Sequence, residues 1–205
     1  DRAIADFNKA IALNPQDTSA FLNRGIANGK QGRHDQAIAD YDRVIALNPN
    51  DDAVYYNRGY AYVRMGRYEP AIADYNRAIA LNPNIAEIYN NRGSAYSDMG
   101  QHDRAIADFD RAIALNPDRA DPYNNRGSAY SAQGNYGLAI SDYNKAIALN
   151  PNLAEAYNNR GGAYQDKGHY ELAIADYNKA IALNPNLAET YNNRGYAYYD
   201  HGQHD

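Results

Sequence analysis

Apolar and small residues recur along the chain at i, i+3, i+4 and i+7 spacing, in short segments separated by a glycine or by Asn-Pro. Within residues 154–187, Tyr157, Gly161 and Tyr164 fall on one helical face, and Gly168 follows as a left-handed stop, which predicts a first helix. Leu172, Ile174, Ala175, Ala180, Ile181 and Leu183 then form a wide apolar stripe that ends at Asn184-Pro185, which predicts a second helix. Asn152 with Glu155, and Asp118 with Asp121, have capping-box spacing, so a start signal is expected before each new first helix.

The same pair of elements is copied along the whole chain. Pro15, Pro49, Pro83, Pro117, Pro151 and Pro185 lie 34 residues apart without an insertion. Asn-Arg-Gly recurs in step at Gly25, Gly59, Gly93, Gly127, Gly161 and Gly195, and a second glycine follows at Gly32, Gly66, Gly100, Gly134, Gly168 and Gly202. With 21 Tyr, three Phe and no Trp, the composition also reads as one residue choice repeated. The phase gives a half unit at 1–17 carrying a second helix only. Full units follow at 18–51, 52–85, 86–119, 120–153 and 154–187, and a half unit at 188–205 carries a first helix only. Twelve helices in a single array are expected. The absence of an initiating Met suggests an excised or processed fragment, from which a targeting segment could be missing. A soluble, cytoplasmic or periplasmic location fits this reading.

Charge and chemistry narrow the function. A net charge of −5, from 20 basic and 25 acidic residues, gives no overall pull toward nucleic acid or anionic lipid, and no 18-residue apolar run is present for a membrane. The lack of cysteine removes disulfides, thiolate metal sites and thiol nucleophiles. No unit adds a nucleophile, base and orienting group that the others lack, so no enzyme activity and no cofactor are expected. His34, His102, His169, His201 and His204 sit at inter-helix turns; His201 and His204 alone make too few ligands for a metal site.

The set Tyr157, Gly161, Tyr164, Ala173, Tyr177, Ala180 and Pro185 resembles the pattern of the tetratricopeptide repeat family, and it recurs in every complete unit, with replacements that include Phe21 and Phe109 for Tyr and Asn28 in place of the second Tyr in the first. The resemblance implies an all-α, right-handed superhelical solenoid that acts as a protein-interaction scaffold. It departs from the family at one place: Arg24, Arg58, Arg92, Arg126, Arg160 and Arg194 stand where the family has Leu. On the family fold each Arg faces the second helix, where Asp40, Asp74, Asp108, Asp142 and Asp176 recur before the aromatic residue. Two readings are open: an inter-helix ion pair in each unit, or an Arg row gripping an anionic ligand.

The resemblance also implies that first helices line a concave groove. Asn23, Asn57, Asn91, Asn125, Asn159 and Asn193 form a ladder there, similar to that in the repeat domain of O-GlcNAc transferases. A side-chain amide both donates and accepts, so the ladder could clamp a peptide backbone irrespective of its sequence, or could simply bond to adjacent helices. Asn90, Asn124, Asn158 and Asn192 precede it in later units, whereas Leu22 and Tyr56 do so in early ones. Ile26, Tyr60, Lys30 and Arg64 continue the early pattern, against Ser94, Ser128, Asp98 and Asp166 later. Specificity for acidic or aromatic ligand residues is therefore expected at Leu22, Ile26, Lys30, Tyr56, Tyr60 and Arg64. The places that match the family's carboxylate clamp hold Asn or Ser, which argues against binding of chaperone tails. Repeat arrays usually end in polar caps, and the apolar faces at both ends predict head-to-tail stacking as an alternative role, beside that of an arm of a larger enzyme or envelope assembly.

Overall fold

In the computed structural model, which describes residues 2–202, the chain is all-α, with twelve helices and no strand among the described residues. It divides into two compact units, Asp1–Gly100 and Gln101–Asp205. The first contains α1 (Arg2–Leu13), α2 (Thr18–Lys30), α3 (His34–Leu47), α4 (Asp52–Arg64), α5 (Tyr68–Leu81) and α6 (Ala86–Asp98). The second contains α7 (His102–Leu115), α8 (Ala120–Ala132), α9 (Tyr136–Leu149), α10 (Ala154–Asp166), α11 (Tyr170–Leu183) and α12 (Ala188–Asp200).

Within each unit, every helix packs on the next in sequence, and first helices of successive repeats also touch: α2 on α4 and α4 on α6, α8 on α10 and α10 on α12. The turn that follows each first helix depends on backbone handedness. The second glycine of each repeat adopts φ between 70° and 78°, which an L side chain rarely tolerates, so the sequence-predicted helix stop forms at all six.

The capping boxes expected at Asn152 and Asp118 do not form. Helices α8 and α10 have Arg119 and Leu153 at the N-cap, with no side-chain cap bond. The reason lies two residues earlier, where the Asn of Asn-Pro folds back on the turn: Asn150 Oδ1 accepts from the Asn152 amide at 3.1 Å, and Asn116 Oδ1 accepts from Asp118 at 3.4 Å. The same bond occurs at Asn14, Asn48, Asn82 and Asn184. Each Asn-Pro is therefore an Asx turn that positions the next first helix. Only α2 and α4 carry side-chain caps among these first helices, from Asp17 and Asp51.

The core is built from small residues against rings. Tyr75, Phe109, Tyr143 and Tyr177 on second helices are all but fully buried. The first helix meets each tyrosine with glycine: a Cβ on Gly59, Gly127 or Gly161 would stand 2.8 Å from a ring carbon of Tyr75, Tyr143 or Tyr177. No real Cβ sits so close, so glycine is what lets these helices approach. Each buried ring contributes on the order of 2–3 kcal/mol through area removed from water.

Candidate interaction surface

The Arg of Asn-Arg-Gly lies beside this ring-on-glycine contact, and its guanidinium turns to the second helices. Arg126 donates from Nε and Nη2 to the two carboxylate oxygens of Asp142, both at 2.7 Å. Arg58 binds Asp74 at 2.8 and 2.7 Å, Arg160 binds Asp176 at 2.7 and 2.6 Å, and Arg24 binds Asp40 at 3.0 and 2.5 Å. The carboxylates are buried, so the paired guanidinium replaces the water they give up. Donation to these carboxylates raises the pKa of Arg58, Arg126 and Arg160, while burial, opposed by Arg58, raises that of Asp74. Of the two readings open at the sequence level, the geometry of these four repeats is the structural ion pair.

A further partner was not visible in the sequence reading. Arg Nη1 reaches back to the second helix of the preceding repeat: to Asn8 at 2.7 Å, Asn76, Asp110 and Asn144 at 2.5 Å, Asn178 at 2.6 Å, and Asp42. These residues directly follow the second-helix aromatic and are either Asn or Asp, always with a side-chain oxygen. In Arg24, Arg58, Arg126 and Arg160, one guanidinium thus fastens two successive second helices to the first helix between them. The signal was a position that varies in charge but never loses its acceptor.

The ladder asparagines are also tied into the stack. Asn91 Nδ2 donates to Tyr56 Oη at 3.1 Å, Asn159 to Asn124 Oδ1 at 3.2 Å and Asn193 to Asn158 Oδ1 at 3.3 Å, while Asn57 bonds its own helix at the Ala53 carbonyl. Asn23 is exposed, and Asn125 holds the same register on α8. In Asn57, Asn91, Asn159 and Asn193 the side-chain amide nitrogen thus donates to the scaffold. The spacing of 35 residues in three of these bonds places them between repeats, where inspection of a single unit could not find them.

Five of the six predicted specificity residues come together in the first unit. Ile26, Lys30, Tyr56, Tyr60 and Arg64 line a groove of about 510 Å³ with Asn57, His34, Glu87 and the backbone at Gly29 and Gly32. Leu22 packs instead against the hydrophobic core. Tyr60 is 48% exposed, and Lys30 and Arg64 project into solvent. Tyr56 is fixed at the groove wall: its hydroxyl bonds Glu87 Oε1 at 2.9 Å, and its ring lies 6.2 Å from that of Tyr75. Burial, and then the bond to Glu87, push the Tyr56 phenol upward, so it stays neutral and can donate. The groove thus combines an aromatic wall with two exposed cations. His201 meets Glu171 at 3.0 Å and Tyr170 at a ring separation of 6.2 Å, while His204 lies outside the described residues.

Comparison with known proteins agrees with this architecture. Profiles of the family described as TPR repeat match residues 1–32, 30–66, 59–100 and 163–202, and profiles of the tetratricopeptide repeat match 86–119, 120–153 and 142–175. No curated protein sequence matches significantly. Among solved structures, the MamA protein is 31% identical, with 84% of this chain and 94% of that chain covered at a TM-score of 0.73. YrrB, described as a TPR protein with an unusual peptide-binding site, is 23% identical over 92% of this chain and 97% of its own, at a TM-score of 0.72. A chain of the Cut9–Hcn1 hetero-tetramer of the APC/C is 24% identical over 95% of this chain and 38% of its own, at a TM-score of 0.82. The last two establish likeness of fold. With profile matches running from residue 1 to residue 202, the chain belongs to the tetratricopeptide repeat family, whose fold serves as a scaffold for protein interaction.

Proposed function

We propose that the chain is a non-catalytic scaffold that binds an extended peptide or partner segment in the groove of its first unit, and that acidic and aromatic ligand residues are read by Lys30, Tyr60 and Arg64. The observation that carries this reading is the gathering of Ile26, Lys30, Tyr56, Asn57, Tyr60 and Arg64 around one groove of about 510 Å³. Its cations attract carboxylates, and its tyrosines offer flat, amphipathic area at low entropic cost. The side-chain oxygens of Asn57 and Asn91 supply acceptors for the ligand backbone N–H groups. Family membership supports a protein partner, and the peptide-binding site named for YrrB is a parallel. Selection from a degenerate peptide library tests the reading. Enrichment of Asp, Glu and aromatic residues on the wild type, lost on Lys30→Ala/Arg64→Ala, is expected; equal selection by both proteins would overturn it.

A second reading, head-to-tail stacking, is favoured by α12. Tyr191, Tyr196 and Tyr199 are 43%, 60% and 67% exposed, and they surround Gly195, beside which a Cβ would meet open space. This is the face that α10 turns to Asp176 and Tyr177 of α11, and α1 carries the equivalent Asp6 and Phe7. Docking of α1 from a second copy would pair Arg194 with Asp6 and seat Phe7 on Gly195. Sedimentation velocity should show mass rising with concentration, and an Asp6→Arg variant should reduce that rise. A strict monomer at the highest soluble concentration would exclude stacking.

A further inference from the structure

The groove of the first unit has a chemical complement in the second. Three positions, each one helical turn from the next, hold Leu22, Ile26 and Lys30 on α2 and Tyr56, Tyr60 and Arg64 on α4. The equivalent positions hold Asn158, Gly162 and Asp166 on α10 and Asn192, Tyr196 and Asp200 on α12. Because α2 touches α4 and α10 touches α12, each unit presents these residues on two neighbouring helices. Lys30 and Arg64 are exposed in the last turns of their helices, and Asp166 and Asp200 are exposed in the last turns of theirs. Each charge pair is one repeat apart in the same register, so the cations and the carboxylates have matching spacing.

The acidic pair breaks a local rule. A carboxylate in the last turn faces the negative end of the helix dipole, so Asp166 and Asp200 weaken the helices that carry them and gain from a cation brought from outside. Asp200 accepts from an uncharged group, Gln165 Nε2, at 3.1 Å. Beside it Tyr196 is exposed in a recess that Asn192 and Asp200 also line. Tyr60, at the same position on α4, is exposed as well, so this row is open by its register on the helix and not by its place in the chain.

Resting on the reading of the groove as a site for acidic and aromatic residues, we propose that its partner is the α10–α12 face of a second copy of the chain. A half-turn about the helix direction lays α12 of one copy over α2 of the other, and α10 over α4, with the facing helices parallel. Asp200 then meets Lys30, and Asp166 meets Arg64. One turn earlier Tyr196 packs on Ile26, and Gly162, which has no side chain, leaves room for Tyr60. With the helices antiparallel the carboxylates would instead face Leu22 and Tyr56, whose hydroxyl already holds Glu87, so charge selects the parallel arrangement. Stacking of α1 on α12 uses the adjacent row, Tyr191, Gly195 and Tyr199, and is a different contact.

Sedimentation velocity on the whole chain tests this by charge exchange. Wild-type mass should rise with concentration, and Lys30→Glu/Arg64→Glu and Asp166→Lys/Asp200→Lys should each associate about tenfold more weakly or worse, because like charges then face one another. An equimolar mixture of the two variants restores opposite charges and should recover the wild-type rise. Should a charge-reversed variant fail to fold, Tyr196→Ser, at an exposed site, must weaken association in its place. A wild type that stays monomeric at the highest soluble concentration, variants that associate as the wild type does, or a mixture that fails to recover would each overturn the proposal. Association lost in Asp6→Arg but kept in both charge-reversed variants would assign it to stacking of α1 on α12 and overturn the proposal equally. Binding of a labelled peptide carrying Glu and Phe to Asp166→Lys/Asp200→Lys, whose groove is intact, separates the two readings. Peptide binding without self-association in the wild type removes only the second copy as occupant, whereas no peptide binding and no self-association overturns the groove reading as well.

Discussion

Replacement of Asp142 by Ala removes one carboxylate from a contact that recurs at Arg24, Arg58, Arg126 and Arg160. Asp142 receives two hydrogen bonds from Arg126 at 2.7 Å, and the side chains are 9% and 19% exposed. Breaking a well-buried ion pair costs about 3–5 kcal/mol, because the survivor is left desolvated. Here Arg126 keeps Asp110 at 2.5 Å and some access to water, which lowers the expectation to roughly 2–3 kcal/mol. The control is Asp110→Ala: that carboxylate is 53% exposed, and loss of an exposed pair costs at most about 1 kcal/mol. Arg126→Met/Asp142→Leu should regain much of the loss by replacing a desolvated pair with apolar contact. Repeat arrays unfold in nearest-neighbour blocks, so the assay is hydrogen exchange of α8 and α9 amides beside the urea midpoint. An Asp142→Ala variant within about 0.5 kcal/mol of wild type, or no worse than Asp110→Ala, would refute the clamp.

Other expectations follow from the same contacts. Gly127→Ala should destabilise by about 1–3 kcal/mol in urea, because the new methyl would stand 2.8 Å from the Tyr143 ring. Gly137→Ala, on α9 with open space around it, should stabilise by up to about 1 kcal/mol. Burial pushes the phenol of Tyr143 up to about 12 against the ordinary 10, so the folded state favours the protonated ring. The stability from that preference is complete below pH 10 and is lost as pH rises through about 12, on the order of 2–3 kcal/mol for this ring. Tyr143→Phe should therefore flatten the fall in stability over that window, as read by urea midpoints.

The period, the all-helical class and the six left-handed glycines were legible because each rests on a local rule: hydrophobic spacing, or a backbone conformation open to few residues. The Arg–Asp pairs were legible because a buried charge requires a partner and only one carboxylate recurred in phase. Other features depend on geometry between repeats. The second Arg partner at Asn8, Asp42 or Asp110 belongs to the preceding repeat, and the Asn159–Asn124 bond joins two first helices whose angular register no single unit reveals. Asn152 was misread as a cap because Asn150, one residue before the proline, competes for the turn and takes the amide of Asn152 itself. Ile26, Lys30, Tyr56, Tyr60 and Arg64 were found as deviations from the repeat, and the fold brings them to one groove.

The central claim is that recognition resides in the variable groove residues of the first unit, with Asn57 and Asn91 beside them, while the Arg row and the later Asn rungs hold the stack. Fluorescence anisotropy of a labelled peptide carrying Glu and Phe, titrated with wild type, Lys30→Glu/Arg64→Glu and Asn159→Ala, tests it most directly. The account predicts that affinity collapses in the charge-reversed groove variant and is unchanged in Asn159→Ala. Unchanged affinity in Lys30→Glu/Arg64→Glu, with loss in Asn159→Ala, would contradict it.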